Sequence, residues 1–278
     1  MATLCTAIAS TAQRLEALFG GTFTSVTSSS VMADSLLPTY GFSGSDAIGG
    51  TLICQKTANA SGSPAGQSRV ISDFSAAGAF TLASGFSASP AVGDTYGLVP
   101  MRYPRAVIVD KINEALSFVG RVPTENTSAS SAANVTDYTY PASVLQDVRA
   151  VYVAQNATSP FAWQVSTRCQ VDKAGGFIHF LEAPSAGMPI RVVYMGVPAY
   201  LSADTDVISD YIAMDWLAIK AALACATWRF QRGGADSAAF TTLINDLMQR
   251  EQVSRRHALA PMPAMPTFPT AANAQAHT

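Results

Sequence analysis

The stretch from Asp204 to Arg256 constrains the fold most, because it reads as two amphipathic helices in succession. Its first half carries apolar residues at roughly helical spacing: Ile208, Ile212, Trp216, Ile219, Leu223 and Phe230. Gly233-Gly234 ends this run, since glycine adopts the left-handed cap conformation at little cost. A second apolar stripe follows, formed by Phe240, Leu243, Ile244, Leu247 and Met248. This hairpin needs a surface to cover it, which the same chain, a neighbouring copy or another protein could provide.

Capping chemistry predicts where the two helices begin. Asp204, Thr205 and Asp206 offer N-cap side chains and early negative charge to the first helix. Asp236 or Ser237 restarts the chain as the second helix.

Two further helices are predicted earlier in the chain. Residues 2–19 have apolar positions near one face, and Gly20-Gly21 ends them. Residues 103–119 carry a clear stripe of Ile108, Ile112, Ala115, Leu116 and Val119. Each stripe must be covered, so we expect the four helices to form one bundle.

Between the helices the pattern is that of β-structure. Residues 50–54, 69–74, 79–83 and 95–99 are β-prone runs separated by glycines, which predicts a small antiparallel module. Later runs at 149–154, 163–168, 177–181 and 190–195 predict four strands in meander order, as a sandwich or barrel-like unit. We interpret 22–30 as a linker and 123–136 as an exposed loop.

The predicted fold class is therefore α+β, with two inserted β-units in a helical bundle. The predicted bundle combines 1–20, 101–136 and 201–257. The small β-module occupies 21–100, and the sandwich or barrel-like domain occupies 137–200. An extended tail, 258–278, completes the chain.

Composition excludes some classes of function. The net charge is −2, which argues against a broad basic nucleic-acid surface. Charged residues make up only 13% of the chain, which suits a protein buried in an assembly and also an ordinary β-rich domain. Arg250, Arg255, Arg256 and His257 cluster at the end of the last helix. They either form a solvated helix end that complements the dipole or dock a partner.

The four cysteines, Cys5, Cys54, Cys169 and Cys225, form no CxxC pair. Buried free thiols are expected, with no metal site or disulfide. The first helix lacks the basic start of a signal peptide, and no run is long and apolar enough to span a bilayer.

The C-terminal tail has a distinctive composition. Prolines at 261, 263, 266 and 269 exclude helix and favour extended, polyproline-like structure. One interpretation is a disordered tail. The other is a docking peptide, because the apolar residues Met262, Met265 and Phe268 recur regularly and could enter a groove.

No catalytic, cofactor or metal site is predicted. His179, His257 and His277 show no paired spacing for zinc. Ser43 and Ser87 lie in fragments of a nucleophile elbow, but neither completes GxSxG. A serine hydrolase therefore has only these incomplete motifs in its favour.

The order of segments resembles a known family. Ile108 to Gly120 is followed by Tyr138-Thr-Tyr-Pro, Val148-Arg-Ala-Val-Tyr-Val, Trp163-Gln-Val and Gly187-Met-Pro-Ile-Arg-Val-Val-Tyr. Leu201-Ser-Ala-Asp-Thr-Asp and the Ala-rich hairpin then close the pattern. This order, over roughly residues 103–257, resembles the head–tail connector proteins of tailed bacteriophages, of the adaptor or tail-tubular type.

The resemblance implies a structural virion protein of the neck, assembled in the host cytoplasm, with no enzyme activity and no cofactor. It implies a homo-oligomeric ring, dodecameric in this family, beneath the portal protein. A tail or head-closure protein would bind the other side, and DNA would pass through the lumen during ejection without sequence-specific binding. The expected portal-docking residues are Arg250, Arg255, Arg256, Pro261, Met262, Pro263, Met265, Pro266 and Phe268.

A second class of function stays open at this point. The Ser/Thr/Gly-rich β-segment is also typical of a receptor- or carbohydrate-binding component of a tail fibre or baseplate. Such proteins are usually β throughout, whereas this sequence predicts four helices.

Overall fold

The computed structural model describes residues 2–57, 64–232 and 238–259. Helices make up 30% of the chain and strands 31%, so the predicted mixed helix–sheet class is confirmed. The described residues up to Val119, together with those from Ala199 onward, form one compact unit, and Gly120–Pro198 form another.

The helices are α1 Leu4–Arg14, α2 Gly44–Ala47, α3 Arg105–Val119, α4 Ala142–Leu145, α5 Met214–Gln231 and α6 Ala238–Ser254, with 3-10 turns at Leu37–Tyr40 and Arg255–His257. The strands are β1 Ala2–Thr3, β2 Phe19–Thr22, β3 Ser25–Val26, β4 Val31–Ala33, β5 Thr51–Lys56, β6 Gln67–Phe74, β7 Ala79–Leu82, β8 Thr95–Val99, β9 Val122–Ser130, β10 Asp137–Thr139, β11 Val148–Ala154, β12 Trp163–Val165, β13 Cys169–Asp172, β14 Phe177–Phe180, β15 Pro189–Gly196 and β16 Val207–Ile208.

Helix α5 is the centre of the first unit. It packs against α1, α3 and α6, and α1 also packs against α3. Small and apolar residues allow this, and eight of them are buried: Trp216, Leu217, Ala218, Ile219, Ala221, Ala222, Cys225 and Ala226. Because several neighbours cover it, α5 is apolar on more than one face.

The first helix is shorter than predicted. The hydroxyl of Thr3 accepts the backbone N–H of Thr6, which caps the start of α1. The helix ends at Arg14, and Glu16 adopts a positive φ of 52°. Gly20 and Gly21, predicted to stop the helix, lie within strand β2 instead.

The helix predicted from Asp204 begins ten residues later, at Met214. Residues 207 and 208 form β16, which pairs antiparallel with β1. Ile208 and Ile212 match helical spacing in the sequence. Both side chains are buried, but Ile208 lies in a short strand and Ile212 directly follows a turn. The N-cap role predicted for Asp204 is therefore wrong.

The first β-unit is a closed sheet. Its strand order is β2-β8-β5-β6-β7-β4-β3, and every pairing is antiparallel. Its two ends, β2 and β3, belong to one continuous stretch, residues 19–26. Phe23 donates its N–H to Asp94 O (3.0 Å), and Thr24 donates to Ala33 O (2.8 Å), so the stretch joins both edges of the sheet. The four predicted strands are confirmed, and residues 22–30, predicted as a linker, instead help to close a small barrel.

The barrel interior is filled by large side chains. Its core consists of Phe23, Met32, Leu37, Ala47, Leu52, Cys54, Ile71, Phe74, Phe80, Leu82, Phe86, Tyr96 and Leu98. The hydroxyl of Tyr96 donates to Asp34 Oδ2 at 2.7 Å, which satisfies both buried polar groups. Gly21 lies against this pair: a Cβ on it would be 2.4 Å from the Tyr96 hydroxyl. Only glycine fits at this position of β2.

The second unit contains two antiparallel sheets, ordered β12-β11-β15-β9 and β10-β14-β13. One cluster of buried residues draws on both sheets: Tyr138, Tyr140, Val144, Leu145, Val151, Cys169, Ile178, Phe180, Ile190 and Val192. The predicted strands are present, although of the run 163–168 only Trp163–Val165 is strand, and a separate strand, β13, follows it from Cys169.

Two predictions for this region are wrong. The first half of the predicted loop 123–136 belongs to the nine-residue strand β9, Val122–Ser130, which pairs with β15. The strands are not in simple meander order, because β11 pairs with both β12 and β15 while β13 pairs with β14. The polar sequence of β9 concealed it, since it lies at the edge of its sheet.

Candidate partner-binding surface

Helix α6 is attached to the first unit along one narrow face. Its principal contacts are with α5 and with the following 3-10 turn. Within 240–254, Leu247 and Glu251 are the buried residues, at 1% and 8% exposure. Met248 is 48% exposed and Val253 72% exposed. The apolar stripe predicted from sequence is therefore only partly buried in the part of the chain that the structure describes.

An ion pair between α5 and α6 holds the C-terminal end of α6 against α5. Lys220 Nζ lies 3.4 Å from Glu251 Oε1 and 5.0 Å from the ring centre of Phe118 on α3. Glu251 is nearly buried, and its negative charge without a partner would destabilise the fold. Lys220 offsets that charge. This lysine therefore links three helices.

A second cation links the same helices at the opposite end of α5. The guanidinium of Arg229 lies 5.3 Å from the ring centre of Tyr103 and 5.7 Å from that of Phe240. Lys220 of α5 thus lies near the C-terminal ends of α3 and α6, at Phe118 and Glu251. Arg229, later in α5, lies near the start of both helices, at Tyr103 and Phe240. Both α3 and α6 therefore run antiparallel to α5.

The predicted docking arginines lie at the C-terminal end of α6. Arg250 pairs with Asp246 one turn earlier, at 2.8 Å. Arg255 and Arg256 lie in the 3-10 turn, and both are exposed. Among the described residues, neither has a recorded ion-pair partner. Arg250, Arg255 and Arg256 are thus exposed in the last turns of the chain's C-terminal helical segment. The predicted residues Pro261, Met262, Pro263, Met265, Pro266 and Phe268 lie outside the described part of the chain.

The chain after α6 returns to the start of α5. Ala213 donates its backbone N–H to Ala258 O at 3.0 Å, and Leu259 forms an isolated antiparallel bridge with Ile212. The beginning of the predicted tail is therefore a fixed part of the first unit. Sequence reasoning had no signal for this bridge, which joins residues far apart in the chain.

A cluster that the sequence did not reveal surrounds Asp204. Its Oδ2 accepts the backbone N–H of Ser68 at 2.7 Å, and its Oδ1 accepts the Ser68 hydroxyl at 2.6 Å. Arg105 contacts Oδ1 at 2.9 Å, and Arg69 contacts Oδ2 at 3.2 Å. These bonds connect the barrel, the start of α3 and the segment before β16. Asp204 thus serves as an internal tie, and it is not available to a partner.

The second unit has an open cavity of about 530 Å³. Its wall consists of Val153, Ala154, Gln155, Gln164, Val165, Ser166, Thr167, Arg168, Phe180, Glu182, Ala183, Pro184, Ser185 and Met188. Arg168 and Glu182, whose Nη1 and Oε1 atoms are 2.6 Å apart, form an exposed ion pair at this cavity. The lining mixes polar and apolar side chains.

The serines singled out from sequence have structural partners. Ser43 donates its hydroxyl to Asp46 Oδ2 at 2.6 Å, in a capping box at the start of α2. Ser87 accepts a hydrogen bond from Gln67. His179 Nδ1 lies 2.6 Å from Asp137 Oδ1 on exposed neighbouring strands. None of these serines is paired with a histidine in the recorded contacts.

The cysteines are buried and free, as predicted for Cys5, Cys54, Cys169 and Cys225. Burial raises the pKa of Cys5, Cys54 and Cys225 to about 12 and that of Cys169 to about 11. In the part of the chain that the structure describes, no group of His, Cys, Asp or Glu side chains could hold a metal ion. None of the described helices is long and apolar enough to cross a membrane.

Comparison with known protein families identifies the family to which the chain belongs. The model of the SU10 adaptor protein family matches residues 86–264, more than half of the chain. The match includes α3, the second unit, α5 and α6, which carry the predicted resemblance to phage connectors. No curated protein matches the chain. The predicted family is thus confirmed: the chain belongs to the SU10 adaptor proteins, which are phage head–tail adaptors.

Proposed function

We propose that this adaptor forms a homo-oligomeric ring beneath the phage portal, as part of the virion neck. One side of the ring binds the portal and the other a tail or head-closure protein, and DNA passes through the lumen. Twelve copies is the stoichiometry that the family resemblance implies. We treat α1, α3, α5 and α6 as a four-helix bundle into which two β-units are inserted: the barrel, and the second unit with its sheets, including β9.

The observation that carries the proposal is the exposed end of α6. Among the residues that the structure describes, Met248 and Val253 are exposed apolar side chains, and Arg255 and Arg256 are exposed positive charges that form no ion pair there. Such a mixture of apolar and arginine side chains is typical of a docking surface. The Pro/Met-rich segment begins directly after this end.

Portal docking is assigned to two neighbouring elements. Arg250, Arg255 and Arg256 supply charge, and the segment from Pro261 to Phe268 supplies apolar side chains on an extended backbone. The bridge between Leu259 and Ile212 gives this segment a fixed starting point. A short tether raises the effective concentration of the segment at the portal.

The low net charge suits a DNA conduit. At −2, the chain lacks the excess of cations that would retain phosphates by counterion release. Passage of DNA requires weak contacts, so the proposal assigns no DNA-binding residues.

Mass photometry of the purified protein, alone and mixed with portal, tests the ring. We expect a discrete oligomer, or one that forms on the portal. A strict monomer that ignores portal at every concentration would refute the proposal.

Truncation tests the tail. Deleting 260–278 keeps the Ile212–Leu259 bridge, and it should weaken portal attachment. Deleting 270–278 removes only the polar end and serves as the matched control. Equal attachment of both truncations would refute the docking role of 261–268.

Charge reversal tests the arginines. Arg255→Glu with Arg256→Glu should weaken attachment and make it less dependent on salt. Lys56→Glu with Lys173→Glu changes the net charge equally at exposed sites elsewhere. If both double variants attach alike, the arginines are not the docking charges.

A further inference from the structure

The four-stranded sheet of the second unit has two edge strands, and each of them pairs with only one other strand of the sheet. Strand β12 pairs with β11, and β9 pairs with β15. A strand at the edge of a sheet presents backbone donors and acceptors to any extended chain that approaches. We propose that β12 of one copy pairs with β9 of the neighbouring copy, so that the second units join around the ring. This inference rests on the proposed ring and names the contact between its subunits.

Backbone hydrogen bonds to β11 and near it fix which groups of β12 point outward. Ser166 donates its N–H to Val151 O at 2.8 Å, and Gln155 donates to Ala162 O at 2.8 Å. In an antiparallel pair, bonded and non-bonded positions alternate. Trp163 and Val165 therefore occupy the non-bonded positions, and their N–H and C=O groups face away from β11.

The same alternation identifies the outward groups of β9. Met195 donates its N–H to Asp147 O at 3.0 Å, on the side of β15 away from β9. Val193, two residues earlier, has the same orientation, and Glu125 lies opposite it. The N–H and C=O of Glu125 therefore point away from β15, toward the free edge.

Part of β12 is accessible, because Gln164, Val165 and Ser166 line the open cavity of about 530 Å³. An added strand would lie about 4.8 Å from β12. Strand β12 contains neither proline nor lysine, the residues that commonly protect an edge from pairing. Strand β9 has one proline, Pro123, near its start, so the outward N–H groups of its edge begin at Glu125.

Chain direction favours a neighbouring copy as the occupant. Each pairing in the sheet is antiparallel, so β9 runs opposite to β12. Successive subunits of a many-membered ring differ by a small rotation, which keeps chain directions nearly unchanged. The β9 of the next copy therefore meets β12 antiparallel and continues the pattern. Because β12 has only three residues, the shared ladder is short and neighbouring sheets can turn relative to each other.

The contact is heterologous, since two different edges of one chain meet. Such contacts generate rings when the rotation closes. The two edges lie at opposite ends of one sheet, so every copy can use both at once.

Proline substitution tests the backbone bonds. Val165→Pro and Glu125→Pro each remove one outward N–H without removing a bond to β11 or β15. Val165→Ala and Glu125→Gln keep the N–H and serve as matched controls. We expect each proline variant to raise the concentration at half assembly about tenfold or more, as loss of edge bonding in every interface requires. The controls should change it far less.

Hydrogen exchange of the wild-type protein provides an independent measurement. On assembly, the outward amides of Trp163, Val165 and Glu125 should become protected together. Assembly with unchanged exchange at both edges, or with folded proline variants that assemble normally, would overturn this inference and leave the ring intact. A wild-type protein that stays monomeric with and without portal would overturn the ring as well.

Discussion

Asp204 and Ser68 are joined by two hydrogen bonds across 136 positions of sequence, at 2.7 Å to the Ser68 backbone N–H and 2.6 Å to its hydroxyl. Asp204 is 8% exposed, and it also compensates Arg69 and Arg105. A single carboxylate thus attaches the barrel to the start of α3.

Replacing Asp204 with Asn should destabilise the first unit. The amide keeps the shape but removes the negative charge that faces two partly buried arginines, so we expect a loss of about 2–4 kcal/mol of unfolding free energy. Chemical denaturation measures this loss. Asp215→Asn is the control, because its ion pair with Arg14 is exposed and should contribute under about 1 kcal/mol. Equal losses for both variants would contradict the assigned role of Asp204.

The adjacent glycines of β2 offer a second matched comparison. A Cβ at Gly21 would lie 2.4 Å from the Tyr96 hydroxyl and 2.7 Å from Asp34 Oδ2, whereas one at Gly20 has its nearest neighbour at 4.0 Å. Gly21→Ala must displace the buried pair, and overpacking of this kind costs about 1–3 kcal/mol. Gly20→Ala should be nearly neutral. Thermal melts of the two variants check the difference, and similar melting temperatures would show that the barrel yields at this point.

Residues with local signals were predictable from sequence. Helix α3 and the strands β5 to β8 lie where periodicity placed them, because one face of each packs on its own unit. The polar strand β9 and the barrel-closing stretch 19–26 were missed. Their structure comes from pairing with distant strands, and a single sequence does not encode such pairing locally.

In the candidate site, too, features set by nearby residues were visible in the sequence, whereas contacts between distant residues were not. The arginines at 250–256 are close in sequence, so their place on one exposed helix end was visible from sequence, and their docking role stays a prediction. The tie at Asp204 and the bridge at Leu259 were missed, because their partners lie far away in the chain. The helical spacing that extended α5 back to Asp204 was misleading, since the same apolar residues are buried from a turn and a short strand.

Attachment of α6 should depend on Leu247. This side chain is 1% exposed, whereas the adjacent Met248 is 48% exposed. Leu247→Ala removes buried apolar volume and should cost about 2–4 kcal/mol, while Met248→Ala should cost under about 1 kcal/mol. Hydrogen exchange of 240–254 should accelerate in the Leu247 variant before α5 is affected. Uniform acceleration in both helices would show that α6 does not open separately.

The buried thiols predict how stability depends on pH. In the unfolded chain they ionise near the ordinary thiol pKa of 9.0, whereas burial raises the pKa of Cys5, Cys54 and Cys225 to about 12 in the folded protein. The unfolded state therefore loses protons first as the pH rises above 9, and folding stability falls from there toward pH 12. Melting temperatures at pH 8 and pH 10 measure this loss.

A matched variant isolates the thiol contribution. Cys225→Ala removes one buried thiol and should reduce the loss of stability between pH 8 and pH 10, although it lowers stability at both. The thiols of the native protein should also resist a disulfide reagent at pH 8, and all four should react after unfolding. Rapid reaction of the folded protein, or a pH dependence that Cys225→Ala leaves unchanged, would show that Cys225 does not contribute in this way.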